Sequence, residues 1–164
     1  MTFDPDKAAN LSAVYDEAWR TARNLLSSIE RISRALLPID VARMEKLSED
    51  DKDRLDAFRV RFIELQDLLG AKVFRALLVL EEEKTGSHLD TLNTMEKRGV
   101  IPSVSRWVEL RRLRNGLSHD YPATTAERVA TLNEALKRAP ELLAALDGVR
   151  RYCVRLPLDL PALR

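Results

Sequence analysis

Three side chains able to do chemistry on a phosphate stand within eight residues of one another. They are Arg114, His119 and Tyr121, in the stretch Arg-Leu-Arg-Asn-Gly-Leu-Ser-His-Asp-Tyr-Pro from Arg112 to Pro122. RNA can be cleaved without a metal when its own 2′-hydroxyl attacks the adjacent phosphate. That needs a base for the hydroxyl proton or an acid for the leaving oxygen, and an imidazole with an ordinary pKa of about 6.5 suits either task. The transition state also gathers charge on the phosphoryl oxygens, and a planar guanidinium donates two hydrogen bonds to them. His119 and Arg114 supply these two functions. Asn115 can orient His119 or donate to the phosphate, and Tyr121 can add a hydrogen bond or stack on a base.

On a helix, Arg114 and Tyr121 share one face, and Asn115 and His119 share the adjacent one. Arg111 and Arg112 stand one turn before Asn115, and Arg106 precedes them by more than a turn. Four arginines therefore fall in nine residues, opposed only by Glu109. Such a density of guanidinium points to a local anion site, with Arg111 as a further phosphate contact. The same residue types also serve structure: a solvated cation at Arg114, a helix cap at His119, a packing residue before Pro122 at Tyr121.

The elements that must position these residues read as helices. Asp4-Pro5 opens the first, whose apolar stripe runs from Leu11 to Leu36 in steps of three and four until Pro38. Ser48-Glu49-Asp50-Asp51 has a capping-box pattern and opens a second, running to Leu80 with a bend expected at Gly70. A third lies between Ser87 and Gly99. The motif helix starts at Pro102 or Ser103 and reaches about Asp120. A fifth runs from Thr124 to Gly148, kinked or split at Pro140. The expected architecture is all-α, an antiparallel bundle of four or five helices over residues 1–149, with a loosely packed or extended tail over 150–164.

Bulk composition narrows the classes. The chain has 164 residues, 45% hydrophobic and 32% charged, as in a globular domain that buries a core. Its net charge of +1 excludes a global attraction to nucleic acid, so RNA binding must rest on a local patch. A single cysteine, Cys153, excludes an internal disulfide and reads as a plain tail thiol; a cytoplasmic setting fits. The polar, acidic start from Met1 to Lys7 carries no secretory signal, and no apolar run approaches a membrane span.

The segment Arg114-Asn115-Gly116-Leu117-Ser118-His119-Asp120-Tyr121 resembles the signature of HEPN domains, specifically the HepT-like toxins of toxin–antitoxin pairs. Thr94 to Ile101 is similar to the turn that precedes the motif helix in that family, and Phe62 to Leu80 to the helix beside it. The likeness covers roughly Ala8 to Leu146 and is sharpest over Gly99 to Pro122. It implies a HEPN-type helical bundle, homodimeric, with two copies of Arg114 and His119 forming one composite site. The implied activity is a metal-independent endoribonuclease acting on tRNA or mRNA, without a cofactor. The implied partner is a nucleotidyltransferase antitoxin that attaches AMP to Tyr121, filling the cleft and setting negative charge against Arg114. A second function class fits the same residues: a non-catalytic helical partner of a nucleotidyltransferase, whose Arg/His cluster holds a nucleotide phosphate.

Other polar positions complete the expectations. Gln66 and Asp67 read as exposed, with the option of facing the motif helix and bonding His119 or Arg114. Arg59 and Arg61 flank them and would widen a basic patch. His88 reads as an exposed loop residue, and Glu81-Glu82-Glu83 as the solvated end of the second helix. Trp19 and Trp107 read as core or dimer contacts. Two histidines without cysteine or glutamate at ligand spacing do not suggest a metal site.

Overall fold

A computed structural model of the chain describes residues 2–118 and 124–163. Among them, every regular element is helical and no strand occurs. The elements are α1 (Pro5–Ala35), α2 (Val41–Glu45), α3 (Glu49–Leu68), a π-helical turn (Leu69–Val73), α4 (Phe74–Leu80), α5 (His88–Lys97), α6 (Val104–Ser118) and α7 (Thr125–Cys153). No helix among the described residues is long and apolar enough to cross a membrane.

The helix starts form where local chemistry demands them. Asp4 accepts from the amides of Asp6 and Lys7, with Pro5 in the first turn of α1. Ser48 caps α3 through the Asp51 amide, and Thr124 caps α7 through the Glu127 amide. At α5 the capping box is complete: Ser87 Oγ accepts from the Asp90 amide, and Asp90 accepts from the Ser87 amide. The end of α5 has the reverse pattern. Gly99 adopts a left-handed φ of 69°, its amide donates to Glu96, and the Val100 amide donates to Met95. Both orphan carbonyls are thereby satisfied in a Schellman closure. Glu96 then reaches forward and accepts from the Val104 amide at 2.6 Å, which fixes where the motif helix α6 begins.

Antiparallel pairing is written in the cross-helix bonds. On α1 and α3, Ser28 meets Arg61, and Glu17 meets Lys72 beyond them in the π turn. On α6 and α7, Arg106 meets Glu141 and Glu109 meets Arg138. The core between them buries Leu11, Tyr15, Ala18, Ala22, Leu25 and Ile32 of α1 against Phe58, Phe62, Leu65, Phe74 and Leu77. Each large apolar side chain so buried contributes roughly 1.5–3 kcal/mol.

Several elements depart from the sequence expectations. The short α2 has no stripe to announce it; Asp40 caps it. Gly70 lies in the π-helical turn that joins α3 to α4, an irregularity at the position where the sequence predicts a bend. α7 continues through Pro140 and past Gly148 to Cys153, so the boundary drawn at residue 149 falls inside a helix. The tail beyond it is docked, not loose: Tyr15 Oη donates to the Pro161 carbonyl at 2.7 Å, Trp19 Nε1 donates to Ala162 at 3.1 Å, and Leu160 is buried. Cys153 belongs to the core, and burial pushes its thiol up to about 12. Glu81, expected in solvent, is only 15% exposed and pairs with Arg98 at 2.8 Å, while Arg98 also lies over the Tyr152 ring.

Two predictions follow from the packing around α7. A Cβ at Gly148 would overlap the carbonyl oxygen of Val100. Gly148→Ala should lower unfolding free energy by about 1–2 kcal/mol, overpacking outweighing the helix-propensity gain of about 1 kcal/mol; a denaturant melt measures it. Hydrogen bonds from Arg138 and Arg106 hold the Glu141 carboxyl below its ordinary 4.5. Such a carboxylate stabilises the fold above its unfolded pKa and loses that contribution as pH falls through the lower folded value. Glu141→Gln should therefore cost about 1–2 kcal/mol at neutral pH and flatten the decline of stability on the acid side of pH 4.5, as read by thermal melts across pH.

Candidate functional site

The motif helix carries its apolar residues inward and its arginines to several destinations. Trp107, Leu110 and Leu117 are buried, and the Trp107 ring lies 5.0 Å from that of Phe74 at a tilt of 55°. This seats α6 across α3 and the π turn and leaves the side chain of Arg114 at the α3–α6 crossing. There Asp67 grips it: Nε donates to Oδ1 at 2.9 Å and Nη2 to Oδ2 at 2.8 Å. The pair is half-buried on one side only, at 27% exposure for Arg114 and 48% for Asp67. The bond to Asp67 raises the guanidinium pKa further above its ordinary value. Arg114 is a permanent cation with a fixed orientation.

The geometry of that grip leaves work for the rest of the guanidinium. Asp67 takes Nε and one hydrogen of Nη2. Nη1 has only long contacts, 3.5 Å to Asn115 Oδ1 and 3.3 Å to Ser118 Oγ. The end of the fork, Nη1 with the second hydrogen of Nη2, can thus present two donors to an oxyanion. Asn115 is exposed beside it, and its backbone carbonyl accepts from Ser118 Oγ at 3.0 Å. His119 and Tyr121, the expected acid–base group and modification site, lie outside the described residues.

The arginine cluster divides. Arg106 reaches across to α7, where it pairs with Glu141 at 2.7 Å. Glu109, the one acid expected to offset that patch, bonds Arg138 instead. Arg111 and Arg112 are exposed. Arg111 has an unforeseen neighbour: His88, at the start of α5, packs over the π turn at Gly70 beside Trp107. Partial burial and then the Arg111 charge lower the His88 pKa below 6.5.

Gln66, expected at the surface, is 4% exposed, because α3 is covered by both α1 and α6 and its buried face is wider than one stripe. Asp67 is exposed and also takes the option of bonding Arg114. Arg61 turns to α1, where it donates to the Asn24 carbonyl and Ser28, and does not widen the motif patch. Arg59 remains near the motif, on a groove of about 550 Å³ that also touches Gly116 and Leu117. Trp107 is a core residue, whereas Trp19 is half-buried under Arg23 and the tail. Among the described residues, no group of three or more His, Cys, Asp or Glu is arranged to hold a metal.

Asp67 is the residue that sequence reasoning left undecided. Its signal was a carboxylate one helix away from an arginine-rich face, without a way to know that the two would cross. The exposed Asp67–Arg114 pair should contribute less than about 1 kcal/mol to stability in a double-mutant cycle. Asp67→Ala should instead free the guanidinium to rotate and weaken any phosphate-dependent function of Arg114 by roughly tenfold; binding or turnover measured beside a melting curve separates the two effects. No family model, curated protein or solved structure matches the chain.

Proposed function

We propose that this protein is a HEPN-type ribonuclease toxin, a metal-independent endoribonuclease that cuts RNA through Arg114 and His119. The support is the spacing of Arg114, Asn115, His119 and Tyr121, joined to one observation: the Arg114 guanidinium is pre-oriented by Asp67 with two donors left for an oxyanion. His119 would move the proton, from the 2′-hydroxyl or onto the departing 5′-oxygen. Arg114 would hold the charge that gathers on the phosphoryl oxygens, yielding a 2′,3′-cyclic phosphate and a free 5′-hydroxyl. Arg111 and Asn115 would add phosphate contacts.

In this proposal the helices form a HEPN-type antiparallel bundle of four to five members. It works as a cytoplasmic homodimer whose two motif helices meet in one composite site. The partner is a nucleotidyltransferase antitoxin that silences the enzyme by adding AMP to Tyr121. The phosphate of that AMP would compete for the fork of Arg114.

A second reading has its own observation. The carboxylate of Asp67 already takes two of the hydrogen bonds that Arg114 can make. A non-catalytic helical subunit, binding nucleotide or a nucleotidyltransferase, needs no more than this structural pair.

Purified protein incubated with tRNA and an unstructured RNA in EDTA separates the two. Wild type should cleave, His119→Ala should not, and Arg114→Ala should lose about 10²–10³ in rate. Circular dichroism should show both variants folded. Cleavage retained by His119→Ala would overturn the mechanism. Absence of cleavage by unmodified wild type, its mass showing no adenylate, would favour the binding subunit.

A further inference from the structure

Between α1 and α3 lies a cavity of about 230 Å³, lined by Ser28 and Arg31 of α1 and by Asp53, Arg54, Ala57 and Arg61 of α3. Three guanidiniums meet one carboxylate there, a concentration of positive charge in a chain of net charge +1. Helical spacing accounts for it. Asn24, Ser28 and Arg31 are four and three residues apart on α1; Arg54, Ala57 and Arg61 are three and four apart on α3. Two facing stripes result, and the small Ala57 side chain leaves room between the two arginines of α3.

The cation at the inner end is held without being neutralised. Arg61 Nη1 donates to the Asn24 carbonyl at 3.1 Å and to Ser28 Oγ. Ser28 is buried, so a hydroxyl sits in the packed face of α1 where a small apolar residue would serve packing better. Both acceptors are neutral, and among the described residues Arg61 has no carboxylate partner. Arg31 likewise has none among them. Arg54 is tied to Asp51 at 2.6 Å, which leaves the remainder of its fork available. A guanidinium fixed by neutral oxygens is an anion site already organised, since its side-chain freedom is spent before a ligand arrives.

We infer that this cavity binds a phosphate group, with Arg31, Arg54 and Arg61 as donors and Asp53 accepting from a hydroxyl on or beside the phosphorus. It is a different place from the Arg114 crossing. Arg61 faces α1, whereas Asp67, six residues later on α3, faces α6. The volume suits one phosphate and part of what it esterifies. A small phosphate ester and a phosphodiester of an RNA backbone offer the same chemistry. The inference does not depend on ribonuclease activity.

The test is isothermal titration of the full chain with inorganic phosphate, a nucleoside 5′-monophosphate and a single-stranded RNA lacking terminal phosphates. Wild type is compared with Arg31→Ala, Arg54→Ala and, as a control, Arg151→Ala, an exposed arginine of α7 that pairs with Asp147 and lines neither the cavity nor the motif helix. Wild type should bind inorganic phosphate, and each cavity variant should weaken it roughly tenfold, while Arg151→Ala leaves it unchanged. If an RNA backbone is the natural occupant, each cavity variant also lowers the salt-dependence slope of RNA binding by about 1. If a small ester is the occupant, that slope is unaltered, or RNA does not bind, while the monophosphate weakens with inorganic phosphate. Should an alanine variant melt early, Arg31→Lys and Arg54→Lys keep the charge and lose the fork; they should still weaken phosphate binding. The inference fails if folded wild type takes up no phosphate, or if the cavity variants bind it as tightly as wild type.

Discussion

The close seating of α1 on α3 is the constraint from which the other placements follow. Ala18 and Ala22, fully buried at the middle of α1, keep that helix slim where it meets its neighbours. Larger side chains there would force the helices apart, because a packed interior has no spare volume to absorb them. With α1 in place, one side of α3 is committed. The opposite side must then receive α6, and only one face of α3 carries Asp67 toward that helix. The position of Arg114 is thus decided by packing that lies a whole helix away from it.

α6 is secured by apolar contacts below and by charge on two flanks. Trp107 packs at a tilt against Phe74, while Arg106 and Glu109 engage Glu141 and Arg138 of α7. Burial of the tryptophan and the part-buried Arg138–Glu141 pair both contribute to the stability of this seam. The ion pairs set direction: they fix which way α7 runs along α6. Arg138 illustrates this, bonding Glu141 within its own helix and Glu109 across to α6.

Much of this was legible because helix ends are local events. Asp4, Ser48, Ser87 and Thr124 cap helices through amides two or three residues away, so a short window of sequence contains the whole cause. Gly99 and its left-handed turn belong with them. What escaped was non-local. Arg114 was visible, but its partner stands 47 residues earlier. The Glu81–Arg98 pair and the wide buried face at Gln66 depend on which helices cover which. Pro140 was a true local signal that does not split α7: exposed, it forfeits one hydrogen bond, and the packing of Ala139 and Leu142 beside it outweighs that loss. His119 and Tyr121 remain legible from sequence alone, as they lie outside the described residues.

The docked tail has an optical consequence. The chain contains two tryptophans. Trp107 is sealed between α6 and Phe74, while Trp19 has its indole N–H on the Ala162 carbonyl and its ring under Arg23. Emission from an indole shifts to the red as water reaches it, so with the other tryptophan replaced by phenylalanine each of the two reports on its own part of the molecule. Red-shifted light from Trp19 alone would mark release of the last few residues from α1. The same change from Trp107 would mark α6 lifting from α3. The protein carries, without any added label, one fluorophore on the helix beneath its latch and one on the helix that bears Arg114.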